Sequence, residues 1–270
     1  MKKLYFLGPK GTYSEQAAIK FKKVLNLNLE LIPISTIAKI VDIVEKEDSF
    51  ALLPIENSIE GIVRPTIDCL YESDVQIRAQ LEIEINHCLY SKGLKEDIKN
   101  IISHPQALAQ CQKYILENFD ENINLINTAS TAHAFSELKD KDKTYGAIAS
   151  CFVDCDDNVK LLEKNIQDYK ENKTRFILVS KNKIKIAQNI RTSIVFNTKN
   201  ESGALLKILE IFKKHGLNLI YLESRPSKKV FGEYNFFADI DKGEQDIINA
   251  LDEIKETCNY YKMLGSYPTV

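Results

Sequence analysis

The chain lacks the signatures that most cofactor-dependent and nucleic-acid chemistry leaves in a sequence. It has no CxxC pair, no glycine-rich nucleotide loop, no nucleophile elbow, no long basic run and no apolar stretch of membrane-spanning length. Its six cysteines, Cys69, Cys88, Cys111, Cys151, Cys155 and Cys258, are scattered. Cys151 and Cys155 come closest, with three residues between them, and no second pair completes a zinc site. Reduced, mostly buried thiols are therefore expected. Gly8-Pro9-Lys10-Gly11 interrupts the N-terminal apolar residues well short of a signal-peptide core, so a cytoplasmic location is expected. A net charge of −2 and a pI near 6.2 give no footprint for nucleic acid.

At 270 residues the chain is long for one core and suggests two domains at about 150 residues each. With 44% hydrophobic and 27% charged residues, wholesale disorder is excluded. The first third alternates strand and helix: a strand at Lys3 to Leu7, helical spacing over Tyr13 to Leu25, a strand at Leu29 to Ile34, a helix at Thr36 to Glu47, and a fully apolar strand at Phe50 to Ile55. Ser14 is in place to cap the first helix. From Val75 to Leu89 the period becomes two, which predicts one long strand able to cross between two lobes. Alternation then resumes: a strand from Ile98, a helix from Gln106 to Glu117, a strand from Ile123, a helix to Leu138, and a strand from Tyr145. A last strand, Phe176 to Ser180, returns to the first lobe. Lys181 to Arg191 is polar and predicts a linker, dividing the chain at 1–181 and 190–270. The remainder reads βαββαβ, the ferredoxin-like order, with Gly216 where a helix C-cap belongs.

Two segments put compact hydrogen-bonding groups at strand ends: Pro54-Ile55-Glu56-Asn57-Ser58 and Asn172-Lys173-Thr174-Arg175-Phe176. Arg175 is a planar, permanently charged fork suited to a carboxylate, either a ligand's or that of Glu56. Asn57 and Ser58 follow an apolar strand, where open α/β sheets bind ligands. Thr12, and Ser130 with Thr131, precede helices whose N-terminal amides favour an anion; each is equally suited to be an ordinary cap. His104 can serve as a general acid or as a hydrogen-bonded structural residue before Pro105. Glu56 is either a buried acid or the group that orients Arg175. Phe176 packs a pocket wall. Together these groups point to a small anionic substrate handled by hydrogen bonds and charge, without a cofactor.

In this order, Gly8 to Ser14, Pro54 to Ser58, Ser103-His104-Pro105-Gln106-Ala107-Leu108, Asn165 to Asp168 and Thr174-Arg175-Phe176 closely resemble the prephenate dehydratase family. The C-terminal part resembles an ACT regulatory domain through Gly203-Ala204-Leu205, Glu223-Ser224-Arg225-Pro226 and Leu264 to Pro268. The resemblance implies a two-lobed, periplasmic-binding-protein-like catalytic domain followed by a βαββαβ ACT domain. It implies conversion of prephenate to phenylpyruvate with loss of water and carbon dioxide, no cofactor, and Thr174 as the catalytic threonine. It also implies phenylalanine as effector, held by Gly203, Ala204, Leu205, Asn218, Leu219, Glu223 and Ser224 where two ACT domains pair in a homodimer or homotetramer. One departure is the segment Cys151 to Asp157, which replaces a small alanine-rich helix of the family. Two other readings remain at this point: an arogenate dehydratase, and a non-catalytic two-lobed sensor of an aromatic acid. The dehydratase lobes are expected to close their own cores before Lys181.

Overall fold

The computed structural model describes residues 2–26, 28–153, 155, 158–184, 186, 190–227 and 232–270. The first lobe contains β1 (Lys2–Leu7), α1 (Tyr13–Leu25), β2 (Leu29–Ile34), α2 (Ile37–Lys46), β3 (Phe50–Asn57), β4 (Gly61–Ile62), α3 (Arg64–Glu72) and β5 (Gln76–Glu84). The second contains β6 (His87–Ser91), a 3-10 turn at Lys95–Asp97, β7 (Asn100–Ser103), α4 (Pro105–Gln110), α5 (Gln112–Asn118), β8 (Asn124–Asn127), α6 (Thr131–Leu138), β9 (Tyr145–Ser150) and β10 (Lys160–Lys164). Its sheet runs in the order β10-β6-β9-β7-β8. The chain then returns: β11 (Lys173–Ser180) inserts antiparallel between β3 and β5, giving a first-lobe sheet of order β2-β1-β3-β11-β5.

Apolar runs in β3 and β11 are explained by this central placement. Leu52, Phe176 and Leu178 face one core with Phe6, Ala17 and Phe21. Their neighbours Leu53, Ile55, Ile177 and Val179 face the opposite core with Ile40, Val44 and Ile67. A strand covered on both faces has no polar alternation to show.

The segment expected to form one long strand from Val75 to Leu89 breaks at Ile85 and Asn86, and its halves join different sheets. The returning chain runs beside this break. Ile85 N–H donates to Asn172 O at 2.8 Å, and Ile166 N–H donates to His87 O at 3.0 Å. Two crossing segments therefore link the lobes side by side. The expected single helix at Gln106 to Glu117 is two helices, split at Cys111, whose backbone sits at φ −117° and ψ 19°. Helix α3 and strand β10 had no counterpart in the expectation.

The C-terminal unit is β12 (Arg191–Asn197), α7 (Ala204–Lys214), β13 (Leu219–Pro226), β14 (Tyr234–Ile240), α8 (Glu244–Thr257) and β15 (Tyr260–Tyr267), in the antiparallel order β13-β14-β12-β15. Helices α7 and α8 cover one face around Ile194, Phe196, Ile208 and Ile254. The other face is not open. Val195, Phe237, Leu264 and Tyr267 join the first-lobe core that contains Ile67, Ile77 and Val179. A Cβ at Gly265 would collide with the Ile77 backbone, so β15 lies directly against β5. The expectation that the lobes close their own cores before Lys181 is thus corrected: the C-terminal sheet completes one of them.

The expectation of reduced thiols is also corrected at one pair. Cys88 on β6 and Cys151 just after β9 form a disulfide, with Cα atoms 5.3 Å apart. Antiparallel pairing of Cys88 with Ala149 brings them together. Residues 154, 156 and 157 of the departing segment, and 185 and 187–189 of the linker, lie outside the described residues. Among the described residues no helix is long and apolar enough to cross a membrane.

Candidate active site

The site begins where β3 and β11 pair. Thr174 lies opposite Asn57, and Arg175 opposite Glu56, although more than a hundred residues separate the strands. Asn57 ends β3, and its Oδ1 accepts from Ile59 N–H and Glu60 N–H, each at 3.0 Å. This side-chain turn sends the chain toward β4. It also fixes the amide, since an oxygen occupied by two N–H donors leaves the nitrogen pointing the other way. Asn57 Nδ2 then donates to Thr174 Oγ at 3.0 Å, Asn172 Oδ1 at 2.8 Å and Lys173 O at 3.2 Å. With its oxygen accepting, the Thr174 hydroxyl keeps its own hydrogen for another partner. Ser58 extends the same pairing: its N–H donates to Lys173 O at 2.9 Å and its Oγ accepts from Lys173 N–H at 2.9 Å.

A buried chain of amides carries this arrangement into the second lobe. Asn172 Nδ2 donates to Gln110 Oε1 at 2.9 Å, and His87 Nε2 lies 3.0 Å from the same oxygen. Since Gln110 Oε1 is already an acceptor, His87 Nε2 must carry the proton. His87 Nδ1 is then a buried acceptor without a hydrogen-bond partner among the described residues. Burial lowers the His87 pKa, and the bond to Gln110 opposes this only in part. Neither Gln110 nor His87 stood out as a site residue in the sequence. The available signal was the Gln106–Gln110 spacing, which places a second amide one turn along α4 on a helix that otherwise buries Ala107 and Leu108.

Arg175 points away from this network, toward the C-terminal sheet, and is only 5% exposed. Its Nε donates to Glu56 Oε2 at 3.0 Å. Its Nη1 donates to Gln80 Oε1 at 3.2 Å and lies 2.6 Å from Asp239 Oδ2. Burial alone would lower the Arg175 pKa, but Asp239, Tyr267 and Glu56 raise it on balance. Phe176 is buried in the α1-side core.

The other singled-out residues sit at helix starts. Thr12, not Ser14, caps α1: Thr12 Oγ accepts from Glu15 N–H at 3.4 Å, while Ser14 is buried one step inside the helix. Gly11, at φ +82°, occupies the left-handed region, and a Cβ there would stand 3.4 Å from Ala132 Cβ of the second lobe. Ser130 caps α6 by accepting from His133 N–H at 3.0 Å, and Thr131 is that helix's first residue. His104 caps α4, its Nδ1 accepting from Gln106 N–H at 3.3 Å. The lobes thus meet with two helix starts, those of α1 and α6, close to one another.

The expected effector residues divide into two groups within one chain. Gly203, Ala204 and Leu205 line an open cavity of about 360 Å³ with Tyr234 and Phe236. Gly203 is required by its φ of +81°; nothing lies within 4 Å of a Cβ placed there. Ser224 pairs with Phe236 and so lies at the same end, beside Glu223. Asn218 and Leu219 lie at the far end of β13, where Leu219 pairs with Ile240. Among the described residues the outer edge of β13 is unpaired, and Ile220 and Leu222 on it are 40% and 37% exposed.

Comparison with known proteins fits this architecture. The prephenate dehydratase family profile matches residues 4–184, and the ACT domain profile matches residues 192–259. The bifunctional chorismate mutase/prephenate dehydratase of Aquifex aeolicus is 40% identical over 270 residues, covering 98% of this chain and 73% of that protein. The prephenate dehydratase of Methanocaldococcus jannaschii is 40% identical over 267 residues, covering 96% of each. Among solved structures, the prephenate dehydratase of Arthrobacter aurescens in complex with L-Phe superimposes with a TM-score of 0.89 at 29% identity, over 98% of this chain and 90% of that one. With one family profile spanning both lobes and relatives matched along almost its whole length, this chain belongs to the prephenate dehydratase family.

Proposed function

We propose that the chain converts prephenate to phenylpyruvate at the junction of β3 and β11, and that phenylalanine regulates it through the C-terminal domain. The reaction needs no electron carrier. The ring carboxylate leaves as carbon dioxide, its bonding electrons enter the ring, and the carbon–oxygen bond to the hydroxyl breaks. The departing hydroxide takes up one proton and leaves as water. Aromatisation supplies the driving force, so the protein has to hold a dianion and assist the leaving oxygen.

The observation that carries this reading is the Asn57–Thr174 hydrogen bond. Asn57 holds the Thr174 oxygen as an acceptor, which leaves the hydroxyl hydrogen to donate to the leaving oxygen. A threonine hydroxyl is a poor acid, so it serves to position and relay a proton. The helix starts at Thr12, Ser130 and Thr131, with Asn57 and Ser58, are the proposed contacts for the substrate's carboxylates, and His104 flanks them. Arg175 and Glu56 act behind the site, holding the strands that carry Thr174 and Asn57. Phe176 anchors β11 from the core.

Effector binding is proposed at the interface of two copies. Asn218 and Leu219 of one copy would meet Gly203, Ala204, Leu205, Glu223 and Ser224 of another once the free β13 edges approach. The exposed Ile220 and Leu222 support such pairing. A cytoplasmic homodimer or homotetramer is part of the same proposal. The test is to incubate the purified protein with prephenate at neutral pH, beside an enzyme-free control, and to identify the product. Phenylpyruvate formed mole for mole with carbon dioxide supports the reading. Turnover of arogenate with prephenate untouched would replace it by the related dehydratase, and turnover of neither would remove the catalytic claim.

A further inference from the structure

Arg175 joins the first-lobe sheet to the C-terminal sheet. On one side its guanidinium meets Glu56, its own register neighbour on β3. On the other it meets Asp239 of β14. Asp239 is fully buried, at 0% exposure. Its Oδ1 accepts from Ser193 Oγ at 2.5 Å, and Ser193 Oγ in turn lies 2.5 Å from the Tyr267 hydroxyl. Ser193 belongs to β12 and Tyr267 ends β15, so three strands of the C-terminal sheet fix this carboxylate from behind. Oδ2 lies at ion-pair distance from Arg175 Nη1, 2.6 Å, and has no hydrogen-bond partner among the described residues.

Stability does not explain this arrangement. Taking two charges out of water costs more than their attraction returns in many proteins, and apolar side chains would close the same surface as well. Val195, Phe237 and Leu264 already do so around it. What the ion pair adds is direction. A planar guanidinium with Nε and Nη2 against Glu56 and Nη1 against Asp239 has little freedom to turn. Glu56 and Asn57 are consecutive on β3, and Thr174 and Arg175 are consecutive on β11. The two strands are therefore tied twice, by Asn57–Thr174 and by Glu56–Arg175, next to the irregularity in their pairing between Arg175 and Phe176.

We propose that Asp239 is a positioning residue for the dehydration: from the C-terminal domain it holds Arg175 against Glu56, and so keeps the Thr174 hydroxyl and the Asn57 amide in register. The proposal deepens the dehydratase reading and rests on it. It also gives the C-terminal domain a part in the resting reaction. Asp239 pairs with Tyr221 of β13, the strand whose two ends carry the proposed effector contacts, so a shift of that strand reaches Arg175 through one residue.

The test uses the full chain and three variants. Asp239→Asn keeps the shape and can keep the Ser193 bond, but removes the charge. Its kcat should fall roughly tenfold or more while KM stays within about threefold, the pattern of a misplaced catalytic group with an intact binding site. Asp68→Asn is the comparator. It breaks a second ion pair between the domains, one made by Arg225 and not by Arg175, in which Arg225 Nη2 lies 3.0 and 3.1 Å from the two Asp68 oxygens. Its kcat should stay within about twofold of wild type if docking alone is loosened. Ser193→Ala frees Asp239 without discharging it and should lower kcat in the same sense by about threefold. If Asp239→Asn does not fold, Ser193→Ala decides, and an unchanged kcat there overturns the proposal. So does an Asp239→Asn enzyme with normal turnover, or equal losses in Asp239→Asn and Asp68→Asn. Wild-type protein that leaves prephenate intact would sink the dehydratase reading itself, and that result is read before any variant.

Discussion

Replacing Asn57 by Asp exchanges one N–H₂ group for an oxygen and leaves the shape nearly unchanged. One carboxylate oxygen can keep the turn bonds to Ile59 and Glu60, which Asn57 Oδ1 now accepts at 3.0 Å. The other would face three groups that accept from Asn57 today: Asn172 Oδ1, Lys173 O and Thr174 Oγ. Asn172 can turn its amide, at the cost of its bond to Gln110. Lys173 O cannot respond. The Thr174 hydroxyl can, by donating its hydrogen to the new carboxylate, and that removes the donor the leaving oxygen needs. Loss of one preorganised donor of this kind costs about 10²- to 10³-fold in kcat, or roughly 3–4 kcal/mol of transition-state stabilisation. The structural loss should be smaller, about 1–3 kcal/mol for a buried polar group left badly matched. The pH dependence has a definite sign. Burial and neighbouring carbonyls raise the new carboxyl's pKa above the ordinary value near 3.9, and once protonated it donates as the amide did. Activity relative to wild type should therefore rise as pH falls. Steady-state phenylpyruvate formation across pH, beside thermal unfolding, makes the measurement. A variant within threefold of wild-type kcat at neutral pH, with a ratio that does not change toward acid, would refute the reasoning.

Two further outcomes follow from other parts of the fold. Gly203→Val places a β-branched residue at φ +81°, so the start of α7 must rearrange, and sensitivity to phenylalanine should fall at least about tenfold while kcat without effector changes less; a titration with an unshifted midpoint would contradict the effector placement. His87 has a folded pKa below its unfolded value of about 6.5, so its neutral form contributes stability above that pH, and the contribution is lost as pH falls from there through the folded pKa. His87→Gln should flatten this part of the melting-temperature profile, and superimposable profiles would show that His87 is not the titrating group.

Much of this arrangement could be read from the chain because it is local. The apolar run Phe50 to Ile55 marks a strand covered on both faces, and the polar residues after it mark the strand's exit. Thr174 and Asn57 could be named separately, while their pairing belongs to the sheet. Helix α3 escaped notice because its N-cap, Val63, has no capping side chain and only Thr66, Ile67 and Leu70 are buried along it. Strand β10, Lys160–Lys164, is an exposed edge with no alternation to detect. Gln110 and His87 look like ordinary polar residues until folding removes them from water and joins them through Asn172. Asp239 was hidden for a related reason. An acid within Asn235-Phe236-Phe237-Ala238-Asp239-Ile240 reads as solvent-facing, yet the face it occupies is covered by another domain. The run of apolar residues on both faces of β12 and β14 was the available sign that this sheet is covered on both sides.

The proposed dehydration turns on the Thr174 hydroxyl assisting departure of the ring hydroxyl. Thr174→Val keeps the branched shape, and Asn57 Nδ2 retains Asn172 Oδ1 and Lys173 O as acceptors, so no buried donor is stranded. The direct measurement is single-turnover conversion of saturating prephenate by wild type and by this variant, beside equilibrium binding of the substrate. The variant's rate should be lower by about 10²-fold or more, with affinity changed far less. A variant that turns prephenate over at a near-normal rate would contradict it.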